Sequence, residues 1–425
     1  MLRLARLVAA LLALTTACAS PPPRSPARVE SQADPHALFA ASPKHAALRA
    51  GTSGDYPPLS QWTGARPEGF APALLEAFAR SAKIDVTWTR FRWPELAGDL
   101  RAKKFDLAAD GITVRPERSI AGRFSVPIAR GGAVLLLRRP AWAARDADAK
   151  ALDRADLRIA VNKGGHLERV TRSLFKTATI VAIPDNTKVR DALARGEVDA
   201  LMTNTFEAPR WASGIDGVER LGPLTHDVTA FWMSSDRSDV ADRLDAWLLE
   251  EEASGRLGAL RTQWLGGGEA AATPVGAILA ATVERLALMP FVAAAKKRTG
   301  AAIEDTAQEE RVLAASVAAV EKAAAAQHVP PPPAAITRAF FTAQIEAAKE
   351  VQAKGADSEP SYALGEDLRP AIARISARMA ALVVRIPHGT KSEDVLTAAR
   401  ADLGDSGIAD ATITRVATTL AAFGE

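Results

Sequence analysis

Short apolar runs and helical patterns alternate along the chain from about residue 45 to residue 266. The apolar runs lie at 85–91, 133–137, 157–161 and 198–202, and helical patterns separate them at 70–81, 167–175 and 240–252. Alternation of this kind is typical of α/β domains with doubly wound, largely parallel sheets. We therefore predict an α/β domain over residues 45–266.

The pattern changes after three consecutive glycines at 266–268, which predict a flexible joint. Thr273 and Pro274 then provide a helix cap followed by proline at the first helical position. Ala-rich helical spacing dominates from there to the C-terminus, and a proline run at 330–333 breaks it between two helices. We predict an all-α domain of about five or six helices over 273–425, loosely tethered to the first domain.

The N-terminus has the pattern of an export signal. Arg3 and Arg6 precede an apolar run at 7–14, which is too short to span a bilayer, and small residues follow it. Cys18 is the only cysteine, so an intramolecular disulfide is excluded. Its position resembles the lipid-modified cysteine of bacterial lipoproteins, which implies a lipid-anchored periplasmic protein. Cleavage after Ala19, giving a soluble periplasmic form, is the alternative.

The composition adds few constraints. The formal net charge of +3 is small for 425 residues, and no basic stripe with interleaved aromatics argues for nucleic-acid binding. The histidines are scattered without ligand spacing, so no metal or organic cofactor is predicted. The predicted divisions are a signal peptide at 1–19, a Pro-rich tether at 20–44, the α/β domain at 45–266, a Gly-rich linker at 267–272 and the helical domain at 273–425.

Several motifs of the α/β domain occur in a characteristic order. They lie at 51–58, 69–70, 111–113, 116–118 and 124–127. This order resembles the amino-acid-binding type of periplasmic solute-binding protein (type 2). The resemblance implies a two-lobed fold in which Arg118 holds a ligand carboxylate between the lobes. A guanidinium suits that role because its planar fork bonds a carboxylate bidentately.

Further motifs narrow the resemblance. The segments 93–94, 162–165, 184–186 and 202–208 resemble cyclohexadienyl dehydratases, which convert prephenate to phenylpyruvate and arogenate to phenylalanine. The leaving hydroxyl must be protonated, which requires a carboxylic acid with a raised pKa. The resemblance implies that Glu207 is this acid. In isolation, Glu207 would be interpreted as a solvated residue at a helix start.

The same resemblance implies a substrate-binding set. Asn162 would orient the substrate, and Asp55 and Thr113 would line the pocket beside Arg118. Trp93 is open to two interpretations, plain core or cleft lining. We include it among the substrate-binding residues.

The α/β domain departs from this family at two places. His166 and Leu167 stand where the family has Thr-Asn, and His166 is interpreted as a loop residue rather than a base. Asn204 replaces the usual acidic residue, which would favour prephenate over arogenate. The departures leave a rival hypothesis open: a binding or sensor domain for an amino acid or prephenate, without dehydratase activity.

Charged and amide residues recur on helix faces in the second domain. Arg285 and Lys296 are eleven residues apart, about three turns, and are predicted on one helix face. Asp305 and Glu309 share a face at i, i+4, and Gln352 follows. This set resembles the secreted, all-helical class of chorismate mutase.

Chorismate rearrangement to prephenate moves no proton. The enzyme must hold a dicarboxylate in a compact conformer and stabilise charge on the ether oxygen. The resemblance assigns carboxylate binding to Arg285 and Arg369, the ether oxygen to Lys296 and Gln352, and the ring hydroxyl to Asp305 and Glu309. Arg369 is matched through the later Arg378–Met379 pair.

One departure affects the second site. The family has an arginine where Gln308 stands, and Arg311 lies nearly one turn further along. A neutral amide cannot replace a guanidinium's charge, so a mutase-like binding relic is a further hypothesis.

The two resemblances fit together, because the product implied for the second domain is the substrate implied for the first. The main hypothesis is a bifunctional periplasmic enzyme of phenylalanine biosynthesis that runs chorismate to prephenate to phenylpyruvate. Its predicted partners are these small molecules and arogenate. Membrane contact is predicted only through the lipid anchor, and a dimer through the helical domain is left open.

Overall fold

The computed structural model describes residues 47–138, 149–355 and 361–425. The predicted signal peptide, the Pro-rich tether and Cys18 lie outside the described residues. The described residues belong to one unit that begins at His45 and ends at Glu425.

Strands and helices alternate from Leu48 to Leu265. The strands are β1 (Leu48–Thr52), β2 (Asp55–Tyr56), β3 (Ser60–Thr63), β4 (Arg66–Glu68), β5 (Val86–Arg90), β6 (Leu107–Thr113), β7 (Arg123–Phe124), β8 (Ala129–Gly131), β9 (Ala133–Arg138), β10 (Arg158–Asn162), β11 (Thr179–Ile183), β12 (Ala200–Asn204), β13 (Val218–Leu221) and β14 (Asp227–Met233). The helices are α1 (Phe70–Ala82), α2 (Leu96–Arg101), α3 (Pro116–Ala121), α4 (His166–Leu174), α5 (Thr187–Ala194), α6 (Ala208–Ala212), α7 (Ser238–Ala253) and α8 (Arg256–Leu265).

Two larger sheets form the cores of two lobes. The first lobe has the order β5-β1-β6-β14-β7 with β8 beside β14, and the second has β11-β10-β12-β9-β13. A small antiparallel sheet, β2-β3-β4, belongs to the first lobe. The prediction of largely parallel sheets is wrong, because β14 runs antiparallel to β6 and β9 runs antiparallel to both β12 and β13. A buried apolar strand has the same pattern in either direction, so sequence periodicity did not reveal the reversal.

The chain crosses between the lobes at two adjacent places. It enters the second lobe after β8, through Gly131 and Gly132, and returns between β13 and β14. A Cβ at Gly132 would lie 1.9 Å from the carbonyl oxygen of Thr225 on the returning segment. Only glycine allows the two crossings to pass this closely. The parallel strands β6 and β10 end beside these crossings, where open α/β sheets commonly bind ligands.

A helical region follows the second crossing and the first lobe's last helices. It consists of α9 (Pro274–Ala287), α10 (Met289–Thr299), α11 (Thr306–Ala326), α12 (Ala334–Ala353), α13 (Arg369–Val383), α14 (Ser392–Leu403) and α15 (Asp410–Ala421). A π-helical turn at Leu364–Leu368 leads into α13 and a 3-10 turn at Ala422–Gly424 follows α15. The described residues thus contain more helices than the five or six predicted.

The prediction that Arg285 and Lys296 lie on one helix is also wrong. Pro290 has no N–H to donate to the preceding turn, so the hydrogen-bond ladder is interrupted at Leu288 between α9 and α10. Together these helices, Pro274–Thr299, are long and apolar enough to qualify by composition as a membrane span. However, 67% of this apolar stretch is buried inside the protein, as expected for a core helix.

The helical region is not loosely tethered, contrary to the prediction from the glycines at 266–268. One apolar cluster runs from the first lobe into the helical region and includes Ile128 and Ile278. Arg130 of β8 forms an ion pair with Asp402 of α14 at 2.5 Å. A glycine run makes only its own segment of backbone flexible. The surfaces that pack the helical region against the first lobe come from residues far from it in sequence.

Helix α13 also holds the first lobe directly. Arg374 donates to the carbonyl oxygens of Ser119 and Ile120, each at 3.1 Å, at the end of α3. Arg378 donates to the carbonyl of Phe124 at 2.8 Å and forms a buried ion pair with Glu284. The helical region therefore supports the helix that carries Arg118.

Candidate functional site

A narrow cleft with a cavity volume of about 40 Å³ lies between the two lobes, and we call it the interlobe cleft. The predicted residues Trp93, Thr113, Arg118 and Asn162 line it. The lobes are in contact across it: the Asn186 amide of the second lobe donates to the Asp55 carbonyl of the first at 3.0 Å. The structure thus brings most of the predicted binding set of the first domain into one enclosed site.

Arg118 is a buried cation in this cleft. It is 7% exposed, and its Nη1 donates to the Thr113 carbonyl at 2.9 Å. Burial, reinforced by the nearby Arg115, lowers the pKa of Arg118 to about 9, so the side chain is still charged at neutral pH. Within the described ranges no carboxylate forms an ion pair with it. A buried charge without a counter-ion is costly, so this position favours an anionic ligand.

Glu207 lies at the start of α6 and is fully buried. Its carboxyl accepts hydrogen bonds from the Asn186 amide and the Thr203 hydroxyl, each at 2.9 Å. Burial raises the pKa of Glu207 to about 8, because removal from water disfavours the charged form. The group is therefore mainly protonated at neutral pH, and the interpretation as a solvated helix-start residue is wrong.

Glu207 and Asp55 do not line the interlobe cleft itself. Both line an adjoining cavity, and Asn186 belongs to the walls of both spaces. The Asp55 carboxylate accepts from Trp93 Nε1 at 3.2 Å, so it is held away from the cleft. The expectation that Asp55 lines the substrate pocket is therefore corrected, and Glu207 faces the cleft only through the amides around it.

The helical region contains a second, larger cavity of about 470 Å³, which we call the helical pocket. All six residues predicted for the second site line it: Arg285, Lys296, Asp305, Glu309, Gln352 and Arg369. They come from α9, α10, the start of α11, the end of α12 and the start of α13. The break at Leu288 therefore does not separate Arg285 from Lys296.

Arg285 is the buried cation of the helical pocket. It is 8% exposed, donates to the Gln344 carbonyl at 2.8 Å, and has no ion-pair partner among the described residues. Burial lowers its pKa to about 10, which leaves it charged at neutral pH. Lys296 donates to the Ile303 carbonyl at 3.0 Å, and burial also lowers its pKa. The Gln352 amide is buried, and its oxygen has no partner within the described part of the chain.

No group of three or more His, Cys, Asp or Glu side chains that could hold an ion occurs in 47–138, 149–355 and 361–425.

Residues 48–267 match the family model described as bacterial extracellular solute-binding proteins, family 3. The chain belongs to this family. Membership implies a periplasmic location in bacteria. The match to the family model ends at residue 267, before α9. The family therefore accounts for the two lobes and not for the helical region.

Relatives within the family differ in what they do. The chain is 29% identical over 222 residues to a cyclohexadienyl dehydratase of Pseudomonas aeruginosa, covering 51% of this chain and 82% of that protein. It is 24% identical over 213 residues to ABC transporter arginine-binding protein 1 of Escherichia coli, covering 50% and 84%. A crystal structure of the ancestral amino acid-binding protein AncCDT-1, a precursor of cyclohexadienyl dehydratase, is 24% identical, with a TM-score of 0.48 over 52% of this chain and 95% of that one.

The cleft of this family member contains residues that sequence reasoning missed. Tyr56 lines it and bonds the amide of Asn204, which in turn lies 3.4 Å from the Glu207 carboxyl. Burial raises the pKa of the Tyr56 hydroxyl well above its usual value. His166 begins α4 and lines the cleft, so its interpretation as a loop residue is wrong. Its Nε2 lies 3.0 Å from Asp227 of β14.

The position of His166 carried a usable signal. It follows a buried strand and a glycine pair, and the first helical turn after a parallel strand faces the ligand side of such a sheet. Asp227 had no comparable signal, since it begins a strand 61 residues further along.

Sequence reasoning missed one cation of the helical pocket, Lys349. It considered another, Arg311, which does not line the pocket. Lys349 lines it, with Nζ 3.2 Å from both carboxylate oxygens of Glu309. Gln308 lines it as well, and its amide oxygen accepts from Arg311 Nη2 at 2.9 Å. Arg311 is exposed and is not among the lining residues. Lys349, three residues before Gln352, is therefore the additional positive charge at this pocket.

Proposed function

We propose that the protein is a bifunctional periplasmic enzyme. The helical pocket converts chorismate to prephenate, and the interlobe cleft converts prephenate to phenylpyruvate, with release of carbon dioxide and water. The observation that carries the dehydratase half is the fully buried Glu207 carboxyl, with its pKa raised to about 8, beside a cleft in which Arg118 has no ion-pair partner among the described residues. A site that only binds an anion needs the arginine but has no use for a buried acid.

The dehydratase step follows from these two residues. Arg118 holds a carboxylate of prephenate, which anchors the ring in the cleft. Glu207 supplies a proton to the ring hydroxyl as its C–O bond breaks, and water leaves. The bond to the ring carboxylate breaks with it, its electron pair completes the aromatic ring, and carbon dioxide departs. Glu207 is left as a carboxylate and regains its proton from solvent.

Proton delivery requires a small rearrangement. The amides of Asn186 and Asn204 lie between the Glu207 carboxyl and the cleft. In our proposal a rotation of Asn204 away from Tyr56 opens the path to the substrate hydroxyl.

The mutase step uses the charges of the helical pocket. Arg285 and Arg369 hold the two carboxylates of chorismate and so favour its compact conformer. Lys296 and the Gln352 amide donate to the ether oxygen, where negative charge grows as the C–O bond breaks. Lys349 strengthens the positive field of the pocket and pairs with Glu309. The rearrangement transfers no proton, so no acid or base is required.

A second candidate is a binding or sensor protein for an amino acid or for prephenate. It is favoured by the position of Glu207, which does not line the interlobe cleft. The arginine-binding relative also lies in this family.

One assay separates the candidates. The purified protein is given chorismate, and prephenate and phenylpyruvate are both followed by chromatography. The wild type should produce both compounds in sequence. Glu207→Gln should let prephenate accumulate while the mutase step continues, because the amide has no acidic proton. Glu197→Gln is the matched control, since that exposed carboxylate pairs with Arg195 on the second lobe. Phenylpyruvate formation by Glu207→Gln at the wild-type rate would show that the acid is misassigned.

A further inference from the structure

A histidine–carboxylate pair closes one side of the interlobe cleft. His166 belongs to the second lobe and Asp227 to the first, and Nε2 and Oδ2 are 3.0 Å apart. Both side chains line the cleft, and they are only 17% and 14% exposed. The pair therefore forms inside the ligand space and joins the two lobes.

An amino acid in this cleft would need two charged partners. Its carboxylate requires a cation, and Arg118 supplies one. Its ammonium group, a donor of three hydrogen bonds, requires a carboxylate when it is removed from water. Among the described residues that line the cleft, Asp227 is the sole Asp or Glu. Glu207 is mainly protonated at neutral pH, and Asn204 is neutral.

His166 already occupies that carboxylate. An ammonium group must compete with the imidazole for Asp227, whereas a keto acid has no such requirement. The other ring nitrogen, Nδ1, is buried and has no hydrogen-bond partner within the described residues. When the ring carries both protons, Nδ1 can donate to the keto oxygen that a keto acid has where an amino acid has its ammonium group, and an ammonium group cannot accept that bond.

We propose that the His166–Asp227 pair is a specificity determinant that makes the interlobe cleft select keto acids over amino acids. This inference rests on the cleft being the ligand site of the proposed function, and it names the ligand class. His166 then adds selectivity to the cleft, whereas the family's asparagine amide is lost at the next position, Leu167.

The test compares two ligands of the same skeleton. Phenylpyruvate and L-phenylalanine differ only in the keto and ammonium groups, and each is titrated by calorimetry into the full-length protein. The wild type should bind phenylpyruvate more tightly. His166→Ala should shift the ratio of the two dissociation constants toward L-phenylalanine by about tenfold or more, the size expected for one charge-assisted hydrogen bond.

Two further variants make the result specific. His166→Ala combined with Asp227→Asn should lose the gain in L-phenylalanine binding, because the carboxylate that accepts the ammonium is gone. His226→Ala should match the wild type, since it removes an exposed histidine that pairs with Asp405 outside the cleft. If His166→Ala does not fold by circular dichroism, His166→Leu fills the space without a donor to Asp227 and should show the same direction of change.

Several outcomes would overturn the inference. These are an unchanged ratio in the His166 variants, a double variant that keeps the gain, a wild type that prefers L-phenylalanine, or a wild type that binds neither probe. Its failure is distinguishable from that of the proposed function, because prephenate turnover is measured separately. A wild type without dehydratase activity but with the predicted shift would reject the enzyme and keep the selectivity determinant.

Discussion

The interlobe cleft and the helical pocket each contain a buried arginine that has no carboxylate partner among the described residues, yet different groups surround the two cations. Around Arg118 lie amides, a phenol, the His166–Asp227 pair and, behind them, a protonated carboxyl. Around Arg285 lie further cations and carboxylates on a larger and more open wall. The difference corresponds to the two proposed reactions. Dehydration needs an acid that protonates the leaving hydroxyl, whereas the rearrangement needs only charged groups held in place around the substrate.

The first prediction tests whether the two regions are structurally independent. Arg378→Ala removes the buried ion pair with Glu284 and the bond to the Phe124 carbonyl of the first lobe. It should lower the free energy of unfolding by about 3–5 kcal/mol, because it leaves Glu284 buried without a partner. Denaturant unfolding followed by circular dichroism measures this. Arg338→Ala, which removes an exposed pair with Glu310, should change stability by less than about 1 kcal/mol. Equal effects of the two variants would argue against a shared core.

The second prediction separates the two activities by their cations. Arg285→Ala should reduce mutase activity by about 10²-fold or more, because it removes a cation that holds one carboxylate of chorismate in the compact, reactive conformer. Dehydration of supplied prephenate should not change. Parallel assays with chorismate and with prephenate measure the two rates, and Arg311→Ala is the control because it lies outside the pocket. A mutase rate that survives the loss of Arg285 would remove the helical pocket from the proposal.

The third prediction concerns the pH dependence that the Glu207 carboxyl should give to dehydration. The pKa of Glu207 is raised to about 8, so its acidic form is present below that pH and is lost as the pH rises through it. Dehydration of prephenate should therefore fall by about tenfold per pH unit above pH 8. The mutase reaction transfers no proton and should show no such decline at the same pH. If both rates decline together, the cause is not Glu207.

The smallest expected effect concerns the missing arginine of the helical pocket. Gln308→Arg adds a guanidinium to the lining, and mutase activity should rise by roughly three- to tenfold, equivalent to about 0.7–1.4 kcal/mol. The gain is limited because Lys349 already contributes a charge. Gln308→Glu is the opposite control and should lower the rate. Initial rates with chorismate measure both, and an unaffected rate in both variants would show that this wall does not reach the substrate.

Much of the fold and of each candidate site was predictable from local sequence. Helical spacing predicted α1, α4 and α7 to within two residues at each end, because the burial of one face imposes the period. Motif order predicted that Thr113, Arg118 and Asn162 would line one cleft, and all three do. The six polar positions of the second domain likewise converge on one pocket.

What the sequence by itself determined is therefore the set of elements and the residues that fixed motifs place at strand ends and on helix faces. Only the tertiary structure decided the direction of β9 and β14, the seclusion of Glu207 behind Asn186 and Asn204, and the pairing of His166 with Asp227. The packing of the helical region on the first lobe belongs to the same group. The physical reason is that periodicity and motifs report contacts a few residues apart, whereas these features join side chains from separate elements, and burial, which sets the Glu207 pKa, is a property of the assembled molecule.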